Sequence, residues 1–183
     1  MQKFILSLDQ GTTSSRVTLY NTNFNPIDTL QKELIQYFPK NGWVEHDALE
    51  IWKDVKFLVS KIIKKNRIKG SQILSIGITN QRETTVLWNK KNGKPINKAI
   101  VWQDRRTSDL CDSLKKKKLD KKIQKITGLI IDPYFSATKI KWILDNNPKA
   151  KKILKQNNLL FGTIDTWLLW NLTEKKSHLT DIT

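Results

Sequence analysis

The sequence predicts an α/β domain in which a mixed sheet is flanked by helices. Three observations carry this expectation. Up to Leu34, short runs alternate apolar and polar residues with the two-residue period of strands, divided by turn residues. Leu49, Trp52, Val55, Val59 and Ile62 or Ile63 then recur near the 3.6-residue period of a helix. After a return to strand patterning, helical spacing dominates from Thr107 onward.

The elements follow in order. Phe4–Leu8 reads as a strand, Asp9–Ser14 as a tight loop and Arg16–Tyr20 as an alternating partner. Asn21–Asn25 has turn chemistry, and Ile27–Leu34 completes an antiparallel meander. Asp47 is placed to cap the first long helix. Ile73–Thr79, Thr85–Trp88 and Lys98–Trp102 read as strands, with a turn at Asn92-Gly93. Helices are expected over 107–118, 120–127, 135–146, 148–156 and 164–171, with a short apolar stretch at Leu159–Phe161. A Rossmann domain would place a helix directly after the first strand. Here a strand follows, which points to a ribonuclease H-like, actin-like topology. No repeat and no flexible interdomain linker is visible.

A chain of 183 residues, 38% hydrophobic and with seven tryptophans, is long and apolar enough to bury one sizeable core. The opening apolar run is too short for a signal peptide, and no later run is long enough for membrane insertion. A single cysteine, Cys111, excludes an internal disulfide and fits a reducing, cytoplasmic setting. Its place beside Leu110 on an expected helix marks a buried, inert thiol. Thirty-three Lys and Arg against 17 Asp and Glu give a net charge of +16. A basic nucleic-acid-binding module is the rival reading from this charge. However, the lysines crowd at Lys61–Lys65, Lys115–Lys118, Lys121-Lys122 and Lys149–Lys152, as on solvated helix faces. No zinc spacing or helix-turn-helix pattern accompanies them, so nucleic acid is not the expected partner.

The chemistry concentrates in Leu8–Val17, "LDQGTTSSRV". An apolar strand stops at Asp9, and one glycine is followed by Thr12, Thr13, Ser14 and Ser15, then Arg16. Backbone N–H groups in such a turn bind anions, and the hydroxyls add donors. Asp9 is placed to hold Mg²⁺ directly or through water. Arg16 is placed to offset phosphate charge. Asp-Gln-Gly alone would also fit a polar hairpin. Neither G-x-x-x-x-G-K-[ST] nor G-x-G-x-x-G occurs, so this is phosphate binding by a hairpin. A second group, Asn80-Gln81-Arg82-Glu83, follows an apolar strand, where functional side chains gather. Taken alone, Arg82-Glu83 fits a surface ion pair, Trp102 a core residue and Tyr134 a loop aromatic.

"LDQGTTSSR" resembles the first phosphate-binding loop of the FGGY carbohydrate kinases, within the actin-like ATPase superfamily. "GWVEHDALEIW" (Gly42–Trp52), "GITNQRETTVLW" (Gly77–Trp88), "AIVWQDRRT" (Ala99–Thr107), "TGLIIDPYFSATKIKWIL" (Thr127–Leu144) and "LFGTIDTWLLW" (Leu160–Trp170) resemble the members that phosphorylate glycerol. The likeness runs in one register from about Phe4 to Asp181. The Lys-rich stretch Lys115–Lys125 is least family-like, and Ala137 stands where relatives often have glycine.

The resemblance implies ATP and Mg²⁺ as cofactors, glycerol as substrate, and sn-glycerol 3-phosphate and ADP as products. It implies Asp9 at the metal, and Thr12, Thr13, Ser14 and Arg16 at the nucleotide's phosphates. Arg82, Glu83 and Tyr134 are implied to hydrogen-bond the glycerol hydroxyls, with Trp102 packed on its carbon backbone. Another FGGY sugar kinase is the near rival, disfavoured by this foursome; a non-catalytic actin-like remnant is a third reading. Residues 1–183 are expected to be most of the N-terminal kinase domain, an incomplete one, without the C-terminal domain. The general-base aspartate and the adenosine pocket are then expected beyond Thr183. An isolated fragment of this kind is expected to be inactive, and the full-length enzyme is compatible with a homo-oligomer.

Overall fold

The strand-forming alternation at the amino terminus is realised, and longer than the apolar residues alone require. In the computed structural model, which describes residues 2–181, the chain runs β1 (Phe4–Gln10), β2 (Ser14–Asn21), β3 (Pro26–Glu33), β4 (Glu45–His46) and α1 (Ala48–Lys65). A 3₁₀ turn (Gly70–Gln72) leads into β5 (Ile73–Asn80), β6 (Val86–Asn89) and β7 (Ala99–Ile100). Then come α2 (Ser108–Lys116), α3 (Asp120–Thr127), α4 (Ser136–Asn146), α5 (Pro148–Lys155), β8 (Leu159–Gly162) and α6 (Ile164–Leu172). These elements sort into two compact units. Each is assembled from separated segments of chain, which is why no shift in composition marks them.

The first unit comprises the chain up to Ile35, Asp47–Gln81 and the part from Ile164. Its four-stranded sheet has the order β3-β2-β1-β5, with β1 antiparallel to β2 and parallel to β5. Phe4, Leu6 and Leu8 of β1 and Val17 and Leu19 of β2 turn one face into the core. The buried stripe of α1 is Ala48, Ile51, Val55, Leu58 and Ile62. It lies about one position from the stripe expected from sequence, leaving Leu49 exposed. Asp47 caps the helix as expected, accepting from the Leu49 and Glu50 N–H groups at 2.9 and 3.4 Å. Trp167 of α6 is fully buried and donates its indole N–H to the Ala48 carbonyl at 2.8 Å, so the first turn of α1 faces the core. Two polar ties bind α1 to β3, Lys65 to Asp28 at 2.8 Å and Lys32 to Asp54. Asp28 is held below the usual carboxylate range by the Lys65 and Asn66 hydrogen bonds.

The second unit comprises Gln36–His46 and Arg82–Thr163. Two small antiparallel ladders, β4 with β7 and β6 with β8, meet helices α2 to α5. Leu87, Ile100, Ile143 and Ala150 form a buried cluster, against which Ile96, Ile140 and Leu159 pack. Asn147 caps α5, accepting from Lys149 N–H at 3.0 Å, with Pro148 at the first helical position. No residue of α3 is buried, and Gly128 ends it with φ 74°. The Lys-rich stretch is thus a solvated helix, as its composition indicated. The strand expected over Lys98–Trp102 shrinks to Ala99–Ile100. The Val101 N–H turns to Val44 O, and the Val101 carbonyl accepts from Asp104 N–H, which closes a turn beneath Trp102.

Candidate functional site

In the first unit, the loop expected over Asp9–Ser14 narrows to Gly11–Thr13. Asp9 pairs in register with Arg16 and Gln10 with Ser15, carrying both strands nearer the turn. The Gly11 N–H donates to Ser14 O at 2.9 Å, and the Leu34 N–H to Thr13 O at 2.9 Å. Gly11 does not adopt a left-handed backbone; an added Cβ would lie 3.4 Å from Ser14 O. Its usefulness is therefore the open approach it leaves to the loop. Gln10 and Ser15 are buried and joined by a 2.7 Å bond from Ser15 Oγ to Gln10 Oε1.

Period-two alternation places Asp9 and Arg16 on the other face, partly exposed and paired at 2.5 Å. A half-exposed ion pair contributes little to stability. It does hold the carboxylate and the guanidinium together beside the hydroxyl loop. Among the described residues the Thr13 and Ser14 hydroxyls accept or donate no hydrogen bond, so both are available to a ligand. No group of three His, Cys, Asp or Glu that could hold a metal occurs among the described residues. Asp9 offers one carboxylate, which suits Mg²⁺, an ion that takes few protein ligands and keeps its waters.

In the second unit, Glu83, Trp102 and Tyr134 come together. Glu83 does not pair with Arg82 as adjacent charges would on a plain surface. Its Oε2 accepts from Ser136 N–H at 3.0 Å and Ser136 Oγ at 2.9 Å. Ser136 opens α4, and Phe135 before it supplies no side-chain cap. A carboxylate from a distant segment therefore satisfies the helix terminus and its positive dipole end. Glu83 has φ 64°, a left-handed backbone that non-glycine residues adopt at a cost of about 1–3 kcal/mol. This is strain of the kind found at ligand sites. Next to it, the Thr84 hydroxyl accepts from Trp102 N–H at 3.3 Å. The Trp102 and Tyr134 rings meet edge-on at 5.8 Å, and Phe135 meets Tyr134 at 5.2 Å. Arg82 is exposed, with no protein partner among the described residues.

Asp132 also serves this wall. Its Oδ1 accepts from Tyr134 N–H at 2.8 Å and from Arg105 at 3.2 Å. Below Trp102, Arg106 and Asp104 are buried and share bonds of 2.9 and 2.8 Å. Sequence reasoning missed Ser136, Arg106 and Lys139, a fully buried lysine that donates to Tyr134 O. The available signal was Lys139 four residues before Ile143, a charge on the apolar face of its helix. His46 is buried, and loss of hydration pushes its pKa down to about 4, so it stays neutral. Burial likewise pushes the Cys111 thiol up, in keeping with an inert cysteine.

Residues 4–183 match the N-terminal domain of the FGGY family of carbohydrate kinases. Glycerol kinase of Treponema denticola is 55% identical over all of this chain, which covers 37% of that relative. The glycerol kinase of Petrotoga mobilis has the same identity and coverage. The chain thus spans little more than a third of the length of these relatives. The crystal structure of Plasmodium falciparum glycerol kinase with ADP superposes with a TM-score of 0.88 at 38% identity, covering 94% of this chain and 35% of that one. With the mixed sheet and flanking helices described above, these matches establish that the chain is an actin-like ATPase domain and belongs to the FGGY family of carbohydrate kinases.

Proposed function

We propose that the chain works in the transfer of the ATP γ-phosphate to glycerol, giving sn-glycerol 3-phosphate and ADP, as the N-terminal part of a glycerol kinase. One observation supports this most. Glu83, Trp102 and Tyr134, drawn from three separate segments, gather into one wall of aromatic faces and hydrogen-bonding groups. Such a wall suits a small polyol: Trp102 meets its CH faces while Glu83, Tyr134 and Arg82 fix its hydroxyls. The carboxylate Oε2 is committed to Ser136, which leaves Oε1 to accept from a glycerol hydroxyl. A site whose polar groups are paired by those hydroxyls rejects substrates that lack them.

On the phosphate side, Thr12, Thr13 and Ser14 present donors, and Arg16 places positive charge where phosphate oxygens would lie. Asp9 would hold Mg²⁺, which when bound supplies charge to the phosphate oxygens. We assign no general base among the described residues. Asp132 is committed to Tyr134 and Arg105, Asp165 accepts from Thr180, and Glu83 is committed to Ser136 and substrate. On this reading the enzyme works in the cytoplasm, where ATP is supplied.

The test is a ligand-observed NMR titration of the purified chain. Glycerol should bind weakly and selectively over gluconate and xylulose, with little glycerol 3-phosphate formed on adding ATP. Equal binding of the longer sugars, or none of glycerol, would overturn the assignment. Asp9 is tested in a chimera in which this chain replaces the matching part of the Treponema denticola relative. Asp9→Asn should lower turnover and raise the Mg²⁺ needed while leaving glycerol KM unchanged. An unaltered Mg²⁺ dependence would remove Asp9 from the metal site.

A further inference from the structure

Lys139 is a charge in an unfavourable place. It is fully buried, in the first turn of α4. The exposed N–H groups of a helix start carry partial positive charge, so a cation there is disfavoured. Helical side chains lean back toward the amino terminus, and Lys139 Nζ reaches the Tyr134 carbonyl five residues earlier. That is its one hydrogen bond among the described residues.

Neutralising nearby acids explains only part of it. The charged groups acting on Lys139 are Glu83, Asp104 and Asp132, with the Cys111 thiol. Asp104 is matched by Arg106 and Asp132 by Arg105, whereas Glu83, bonded by the neutral Ser136, keeps its charge. Besides countercharge to Glu83, Lys139 supplies the hold on Tyr134 O. Asp132 Oδ1 already takes the Tyr134 N–H at 2.8 Å. Both main-chain groups of Tyr134 are therefore gripped by charged side chains, one on each side.

We infer that Lys139 is a positioning residue for polyol binding: its buried ammonium grips the Tyr134 carbonyl and so sets the Tyr134 ring against Trp102 at the candidate wall. This rests on the proposed glycerol function. A charge-assisted bond is roughly twice as strong as a neutral one, so the grip depends on protonation. Burial pushes the Lys139 pKa down from 10.5 to about 8, against the raising effect of the acids. Glycerol affinity should therefore fall as pH rises through about 8. Stability should move oppositely. A folded-state pKa below the unfolded one means the native chain binds fewer protons between those values, so stability rises with pH across that window. A merely structural lysine would move affinity and stability together.

The experiment uses the purified chain, its Lys139→Met variant and NMR across about pH 7 to 10. The Phe135 amide belongs to the peptide that carries the Tyr134 carbonyl. Its shift should titrate near pH 8 in the wild type and stay flat in the variant. Lys139→Met should weaken glycerol binding on the order of tenfold to a hundredfold, the effect of a misplaced contact. Its unfolding midpoint at neutral pH should be unchanged or higher. A wild-type Phe135 amide that does not titrate, or a variant that binds glycerol like wild type, overturns the inference. So does weaker binding accompanied by a lower midpoint. If the wild type binds no glycerol, the polyol role falls with the proposed function, and the Phe135 titration separately decides whether the grip exists.

Discussion

Arg106→Met should destabilise the second unit by about 3–5 kcal/mol, the cost of leaving a buried charge without its partner. The Arg106 side chain is 2% exposed and that of Asp104 is 1% exposed. The guanidinium bonds both Asp104 oxygens and reaches Glu45 at 2.8 Å. It also stacks 3.7 Å from the Trp43 ring centre and 4.8 Å from that of Trp142. Methionine would fill much of the volume yet leave Asp104 buried with only main-chain donors, the Val44 N–H at 2.7 Å and the Arg106 N–H at 2.9 Å. Arg106→Lys should recover only part of the loss, because an ammonium lacks the planar fork that meets two oxygens and two rings. Urea unfolding of the three proteins measures this. A change under about 1 kcal/mol in Arg106→Met would show the pair to be expendable. The same turn carries Trp102, so weakened glycerol binding should accompany the lost stability.

Arg82→Ala should have the largest effect on substrate use. Arg82 is exposed and makes no side-chain hydrogen bond or ion pair among the described residues, so its removal breaks none of these. If its guanidinium meets glycerol hydroxyls, each charge-assisted bond is worth roughly 1.5–3 kcal/mol. In the chimera, kcat/KM for glycerol should fall on the order of tenfold to a hundredfold, with KM for ATP and the unfolding midpoint unmoved. A loss confined to ATP would assign Arg82 to the phosphates instead. An unchanged glycerol kcat/KM would remove it from the site.

Several elements were legible because their causes are local. The alternation of Phe4, Leu6 and Leu8 and the cap at Asp47 each depend on neighbours a few residues away. The solvated Lys-rich helix was legible because polar residues outnumber apolar ones along it, and none of its residues is buried. The hydroxyl-rich hairpin loop was visible as an acid ending an apolar strand before a run of hydroxyls. The chemistry assigned to the wall came instead from the family's motifs. Arg82, Glu83, Trp102 and Tyr134 each had an ordinary local explanation.

What only the tertiary structure decided depends on partners far along the chain. The two-residue β4 exists because Glu45 and His46 meet Ile100 and Ala99. The α1 stripe is offset because Trp167 lies against its first turn. Glu83 caps a helix 53 residues away. The burial of Lys139, and its grip on Tyr134, follow from that same meeting of segments. By itself the sequence determined the periodic elements, the hydroxyl-rich hairpin and the family. Which charges are buried, and which main-chain groups they hold, was settled by folding, because an ion's environment is set by whatever segments close around it.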